Sequence, residues 1–185
     1  MIKHLCIVNR NNEAVIFANG TEEYKVVKDD NSTTMATLTA TINILEKLVK
    51  DVEEGTYNEE DTMILLVPKT LGLMLKLDGP KEIKANGYKT VNGTKLTKNF
   101  VDTMIYANEL REWLGTTVIR FKIHGSDILY PNEKRLINDC WNALNKMTGT
   151  KGNYNKNKKV ERPAQAPQRP TNVNVVFNNE IDELF

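Results

Sequence analysis

From His4 to Lys28 the chain reads HLCIV, NRNN, EAVIFA, NGTEE and YKVVK: three short β-prone runs parted by turn signals built on Asn and Gly. Such a succession predicts an antiparallel three-strand meander. The apolar spacing then changes at once from about two residues to about 3.6. Met35, Leu38, Ile42, Leu45, Leu48 and Val49 recur at helical spacing between Thr34 and Val52. Ser32 or Thr33 is placed to cap that helix, and Gly55 to stop it. A meander feeding directly into a long amphipathic helix excludes an all-β sandwich and an all-helical bundle, and it makes the remaining strands decisive.

Those strands follow. TMILLV (62–67) is a continuous apolar run, as expected of a strand covered on both faces, and Pro68 ends it. A short apolar helix is expected from about Thr70 to Leu77, followed by a polar loop from Asp78 to Asn99. A second long helix, from about Lys95 to Leu114, stacks Phe100, Met104, Ala107, Leu110 and Leu114. TVIRFKIHG (117–125) alternates like a half-buried strand. A last helix opens at Pro131, a favoured first helical residue, and buries Leu136, Ile137, Cys140, Trp141 and Leu144. The order is βββ-α-β-α-α-β-α, which predicts an α/β fold: a mixed five-stranded sheet with helices on both faces.

Length and composition set the bounds. The 185 residues leave room for one domain of about 150 residues and a tail. Hydrophobic content of 40% and charged content of 26% fit a globular chain. No apolar run reaches the roughly 18 residues of a membrane span, and MIKHLCIVNRNNE lacks the features of a signal peptide. Two cysteines, Cys6 and Cys140, are too few for a disulfide framework and too far from clustered His for a zinc site. The expected setting is cytoplasmic, the host cytoplasm if the chain is phage-encoded. Richness in Asn, Lys, Thr and Ile is the habit of AT-rich genomes, many phages among them.

The organisation expected is a domain over 1–148, a disordered basic and Pro-rich linker over 149–172, and an acidic-apolar tip over 173–185. The linker cannot bury enough apolar surface to offset its ordering entropy. The tip, VNVVFNNEIDELF, sets three carboxylates among apolar residues and ends on Phe185. The formal charge of +1 conceals that the tail carries the cationic excess. Nucleic-acid binding by residues 1–148 must therefore come from local patches.

The element order resembles the ribonuclease H-like fold: three antiparallel strands, a helix, a central strand, further helices, a last strand and a closing helix. STTMATLTATINILEKL is similar to the segment opening that family's first helix. FKIHGSDILYPNEKRLINDCWNAL resembles its end, where a strand leads to a His-bearing loop with a Gly, and a Pro and an Asn-Glu pair open the last helix. The resemblance covers about 1–148 and implies four carboxylates clamping two divalent metals. They are missing here. The opening strand, His4 to Asn12, has no Asp. Ala36 and Thr37 stand where the helix acid belongs, Val67 and Pro68 at the end of the central strand, and Leu136 in the last helix, with Asp139 one turn away. The resemblance therefore implies a catalytically degenerate domain with no catalytic residue, no metal and no cofactor.

Binding residues are expected in three places. Lys81, Lys84, Lys89, Lys95 and Lys98, with Tyr88 among them, lie in the segment that is basic and protruding in several nuclease relatives; lysines there can neutralise phosphates, and a Tyr can stack on a base. A plain solvated loop fits the same residues, since Asp78 and Glu82 dilute the charge. In the linker, Lys151, Lys156, Lys158 and Lys159 with Tyr154 suit non-specific, salt-dependent binding or simple solubility. In the tip, Glu180, Ile181, Asp182, Glu183, Leu184 and Phe185 resemble the acidic tails of bacterial and phage single-stranded DNA-binding proteins. Such tails recruit replication or repair proteins or compete with nucleic acid in their own groove. The bland alternative is an edge strand or docking on a neighbouring subunit. His4 and His124 show no carboxylate or nucleophile partner and read as structural, as Trp113 and Trp141 read as core. The resulting expectation is a non-enzymatic single-stranded DNA-binding protein of phage-type replication or recombination. The alternatives are a protein-interaction or inhibitor module, and a nuclease with rearranged ligands drawn from Asp29, Asp30, Asp127 or Asp139.

Overall fold

The computed structural model describes residues 1–18, 20–76 and 78–150. Its elements are β1 (Ile2–Arg10), β2 (Glu13–Ala18), β3 (Glu23–Lys28), α1 (Thr33–Glu53), β4 (Thr62–Val67), a 3-10 turn (Lys69–Leu71) running into the one-turn helix α2 (Gly72–Leu75), α3 (Gly79–Ala85), α4 (Lys98–Leu114), β5 (Ile119–Ile123) and α5 (Pro131–Thr150). The first hairpin shows how local chemistry sets register. Arg10 pairs with Glu13, leaving Asn11 and Asn12 as a two-residue loop with φ of 46° and 64°. Both central residues of a type I′ turn need positive φ, which Asn tolerates better than other residues with a Cβ.

The five strands form one mixed sheet in the order β3-β2-β1-β4-β5. β1 runs antiparallel to β2, and β2 to β3, whereas β1–β4 and β4–β5 are parallel. Alternation along the strands divides the apolar side chains between two layers. Leu5, Ile7, Ile16, Met63, Leu65 and Val67 pack with residues of α1 and α4. Cys6, Val8, Val15, Phe17, Ile64 and Leu66 pack with Ile137, Cys140 and Leu144 of α5. Helices thus cover both faces, which explains why TMILLV is apolar without interruption.

The Ser32 side chain caps α1 by accepting from Met35 N at 3.1 Å. Gly55, with φ of 67°, follows its end, a conformation costly to a residue with a Cβ. One residue of α1 runs against the pattern. Asn43 is fully buried, and neither atom of its amide finds a hydrogen-bond partner among the described residues. An amide buried without a partner costs about 1–3 kcal/mol. Asn43→Leu, of similar shape, is therefore expected to stabilise the fold by about 1–2 kcal/mol, seen as a higher urea midpoint at unchanged slope. An unchanged or lower midpoint would mean that water satisfies the amide in solution.

Three expectations change. The stretch 78–99 is not one loop, because α3 occupies Gly79–Ala85. Pro80 in its first turn is compatible with a helix start, and seven residues are too few to show a period. The next helix begins at Lys98 rather than Lys95, since the Thr97 side chain caps it, accepting from Phe100 N at 3.3 Å. Trp113 is 55% exposed and not core; it lies off the stripe that buries Val101, Met104, Ala107 and Leu114. Among the described residues no helix is long and apolar enough to cross a membrane.

Candidate functional site

After β1 the chain proceeds to β2 and β3 on one side of the sheet, while β4 is followed on the other side by β5. In open α/β sheets ligands bind in the crevice outside the carboxyl ends of the strands, where the direction of winding changes. Here that point lies between β1 and β4. Asn9 of β1 donates through Nδ2 to Thr37 Oγ1 of α1 at 2.9 Å and to Thr70 Oγ1, just after β4, at 3.3 Å. Thr37 in turn donates its hydroxyl hydrogen bond to Thr33 O at 2.8 Å. The cluster is neutral. Beside it in sequence, Lys69 is exposed and makes no ion pair among the described residues. A Cβ at Gly125, which follows β5 with φ of 78°, would meet Lys69 Cε at 3.2 Å and Nζ at 3.4 Å. A side chain there would crowd the end of Lys69.

The carboxylates raised as rearranged ligands do not form a metal-binding set. Asp29 Oδ1 is engaged locally, accepting from Asn31 N at 2.9 Å and Ser32 N at 3.0 Å. Asp127 and Asp139 are exposed, one in the β5–α5 loop and one on α5. Among the described residues no three His, Cys, Asp or Glu side chains are grouped so as to hold a metal ion.

The basic segment divides into two parts. Lys81 and Lys84 lie on α3. Lys84 pairs with Asp102 of α4 at 3.3 Å, which lifts its pKa above the ordinary lysine value. Tyr88, half-buried and at φ of 63°, donates its hydroxyl to the same Asp102 at 3.3 Å. These two side chains fasten the base of a small hairpin to α4. Above them Lys89 bridges antiparallel to Lys95, and Thr90 N donates to Thr94 O at 2.9 Å. Residues paired directly across a hairpin project to the same face, and like charges so placed repel. Lys89, Lys95 and Lys98 are all exposed and make no ion pair among the described residues.

On the other face of the sheet both histidines have side-chain partners, and His4 has the carboxylate that sequence reading denied it. His4 Nε2 lies 3.3 Å from Glu133 Oε1. The same carboxylate accepts from Lys122 Nζ at 2.8 and 2.9 Å and from Tyr130 N at 2.8 Å. Burial alone would raise the Glu133 pKa; Lys122, the Tyr130 N–H and His4 outweigh it and hold the carboxyl below its ordinary value. His124 Nδ1 accepts from Trp141 Nε1 at 3.3 Å, so Nε2 carries the proton, 3.7 Å from Cys6 Sγ. Cys6 is no nucleophile: a hydrogen bond with the free thiol of Cys140 and its burial push the thiol pKa far up. Burial lowers His124 to about 4, against a weaker upward pull from the Leu66 backbone.

His124 thereby couples folding to pH. Between about 6.5 and about 4 the unfolded chain takes up a proton that the folded chain refuses, so stability falls as pH falls through that window. His124→Gln should flatten this part of the stability-pH curve, measured by urea unfolding at stepped pH. An identical slope in the variant would remove His124 as its source.

A cleft of about 360 Å³ opens at the opposite, amino edge of the sheet, near Lys3, His4, Asp51 and Asp61. Its charges are matched internally, Lys3 with Asp61 at 2.7 Å and Lys47 with Asp51, so it offers little to a charged ligand. The linker residues Lys151, Tyr154, Lys156, Lys158 and Lys159 lie outside the described residues, as do Glu180, Ile181, Asp182, Glu183, Leu184 and Phe185 of the tip. No protein-family model matches the chain, and no curated protein matches it. Sequence reading missed that Asn9 and Thr70 meet, with Lys69 next to Thr70 in the chain. Their only signal was position, as the first polar residues beyond the apolar strand runs HLCIV and TMILLV.

Proposed function

We propose that the chain is a non-enzymatic nucleic-acid-binding protein, preferring single strands, on a degenerate ribonuclease H-like domain. The mixed sheet, the helices on both faces and the order of elements are what that resemblance implies. The observation that carries the reading is the Lys89–Lys95 bridge: two like charges held opposite each other, a cost that an intervening phosphate turns into a gain. Lys81 and Lys98 extend the cationic surface, with Lys84 and Tyr88 as its footing. At the switch point, where a nuclease of this kind holds carboxylates, Asn9, Thr37 and Thr70 offer hydroxyls and an amide, and Lys69 is the neighbour of Thr70 in the chain. These groups suit a phosphodiester and do not form a metal cage. The linker lysines add non-specific affinity, and the tip, Glu180 to Phe185, recruits replication or repair proteins or competes for the same surface.

The deciding experiment titrates the full chain against single-stranded DNA, duplex DNA, RNA and an RNA–DNA hybrid at two salt concentrations, with and without Mg²⁺. Salt-sensitive binding, strongest for a single strand and without cleavage, is expected. Metal-dependent cleavage of the hybrid would instead establish a nuclease. Tight binding to one protein without affinity for any oligonucleotide would establish an interaction module. Removing Glu180 to Phe185 should leave folding intact and either raise DNA affinity or abolish partner recruitment.

A further inference from the structure

We infer that the β5–α5 loop is a stacking platform for unpaired bases, with Ile128 and Tyr130 contacting the bases and Lys69 the adjoining phosphate. The inference rests on the nucleic-acid reading above and adds the residues that would make single strands preferred. Three apolar side chains follow one another in this loop, and they divide sharply. Leu129, 6% exposed, is sunk into the core beneath α5, while Ile128 and Tyr130 on either side are 64% and 62% exposed.

The loop backbone is held in place. Ser126 N donates to Ile123 O at 3.1 Å, Leu129 N to Ser126 O at 3.3 Å, and Tyr130 N to Glu133 Oε2 at 2.8 Å. The exposed pair is therefore displayed by an anchored segment, so little ordering entropy is left for binding to oppose. Lys122 Nζ sits 4.2 Å from the centroid of the Tyr130 ring and is fixed there by Glu133. A ring positioned by a cation and open to solvent is suited to stack on a nucleobase, and such stacking is tolerant of sequence because every base has a π-face.

The loop begins at the other half of the recognition. Gly125, its first residue after His124, leaves space for the Lys69 ammonium. One segment thus runs from a cation without an ion-pair partner among the described residues to an exposed ring, matching the phosphate and the base of a single strand. A duplex hides the faces of its bases and can use only the cation. The lysines of the hairpin serve both forms; Tyr130 distinguishes between them.

The test uses the full chain, a fluorescent deoxythymidine homopolymer and a duplex of equal length. Tyr130→Leu keeps apolar bulk but removes the ring, and should weaken single-strand binding by about 5- to 150-fold while leaving duplex binding unchanged. Tyr130→Phe should retain wild-type affinity. Ile128→Ala is a second variant, outside the contacts among Lys122, Tyr130 and Glu133, and should lose affinity with the same selectivity even if Tyr130→Leu folds poorly. Lys69→Gln should flatten the salt dependence by about 0.7 in the log–log slope. A ring that merely shelters Lys122 predicts lower stability with unchanged affinity, and that result would overturn the platform, as would equal losses on single strand and duplex. If binding depends on Lys89 and Lys95 but is indifferent to Tyr130 and Ile128, only the platform fails. If the wild-type chain binds no oligonucleotide, the functional reading falls, and the platform with it.

Discussion

Reversing the charge at both Lys89 and Lys95 is expected to weaken single-stranded DNA binding by on the order of 100-fold at low salt and to leave stability unchanged, since one like-charge pair replaces another. The two ammonium groups project from one face of the hairpin because their residues bridge directly, so a strand crossing that face meets both. Each phosphate neutralised on a single strand contributes about 0.7 to the slope of log affinity against log salt. Loss of two contacts should flatten the slope by about 1.4, and two new carboxylates add repulsion. Lys89→Glu with Lys95 intact creates an opposite-charge pair across the hairpin and should stabilise it by a few tenths of a kcal/mol. That opposition of binding and stability separates a functional pair from a merely solubilising one. Wild-type slope and affinity in the double variant would remove the hairpin from the proposal.

Glu133→Ala is expected to cost about 3–5 kcal/mol of folding stability, close to half of what a domain of this size ordinarily has. The side chain is only 1% exposed and its partner Lys122 is 12% exposed, so truncation strands a cation with little water to receive it. It also removes the acceptor of Tyr130 N at the start of α5. The melting temperature should fall by about 10 °C. Most of the loss reflects the abandoned Lys122 rather than any large net gain from the pair, since burying both charges has its own desolvation cost. Glu133→Ala combined with Lys122→Met should therefore recover much of it. The pH dependence has a definite sign. A carboxyl whose folded pKa lies below its unfolded value contributes stability that is present above the unfolded value and lost as pH falls through the folded one. Glu133→Gln should abolish that part of the acid-side loss. A double variant no more stable than Glu133→Ala would show that Lys122 was not the source.

The limits of sequence reading can be located residue by residue. Asn11-Asn12, Ser32, Gly55 and Pro131 each act on the few residues beside them, so the turn between the first two strands, both ends of α1 and the start of α5 were legible, whereas α5 runs on to Thr150, past the domain end expected at 148. The apolar period did the same for helix and strand type. Helix α3 was missed because its seven residues begin on Gly79-Pro80 and are followed by Asn86-Gly87, dipeptides that read equally as turns. Trp113 was misplaced because periodicity assigns a face only within about one residue, and at the end of α4 that error decides between core and solvent.

By itself the sequence determined the succession of strands and long helices, the absence of the four carboxylates from the positions the resemblance implies, and the presence of a basic segment before α4. All of these are local properties. Only the tertiary structure decided which polar groups meet. Asn9 reaches Thr37 across 28 residues and Thr70 across 61, and His4 reaches Glu133 across 129. Such encounters depend on strand order and on which face each helix covers, and no window of neighbouring residues carries either. The same holds for Lys69, whose place beside Gly125 exists only because β4 and β5 lie side by side.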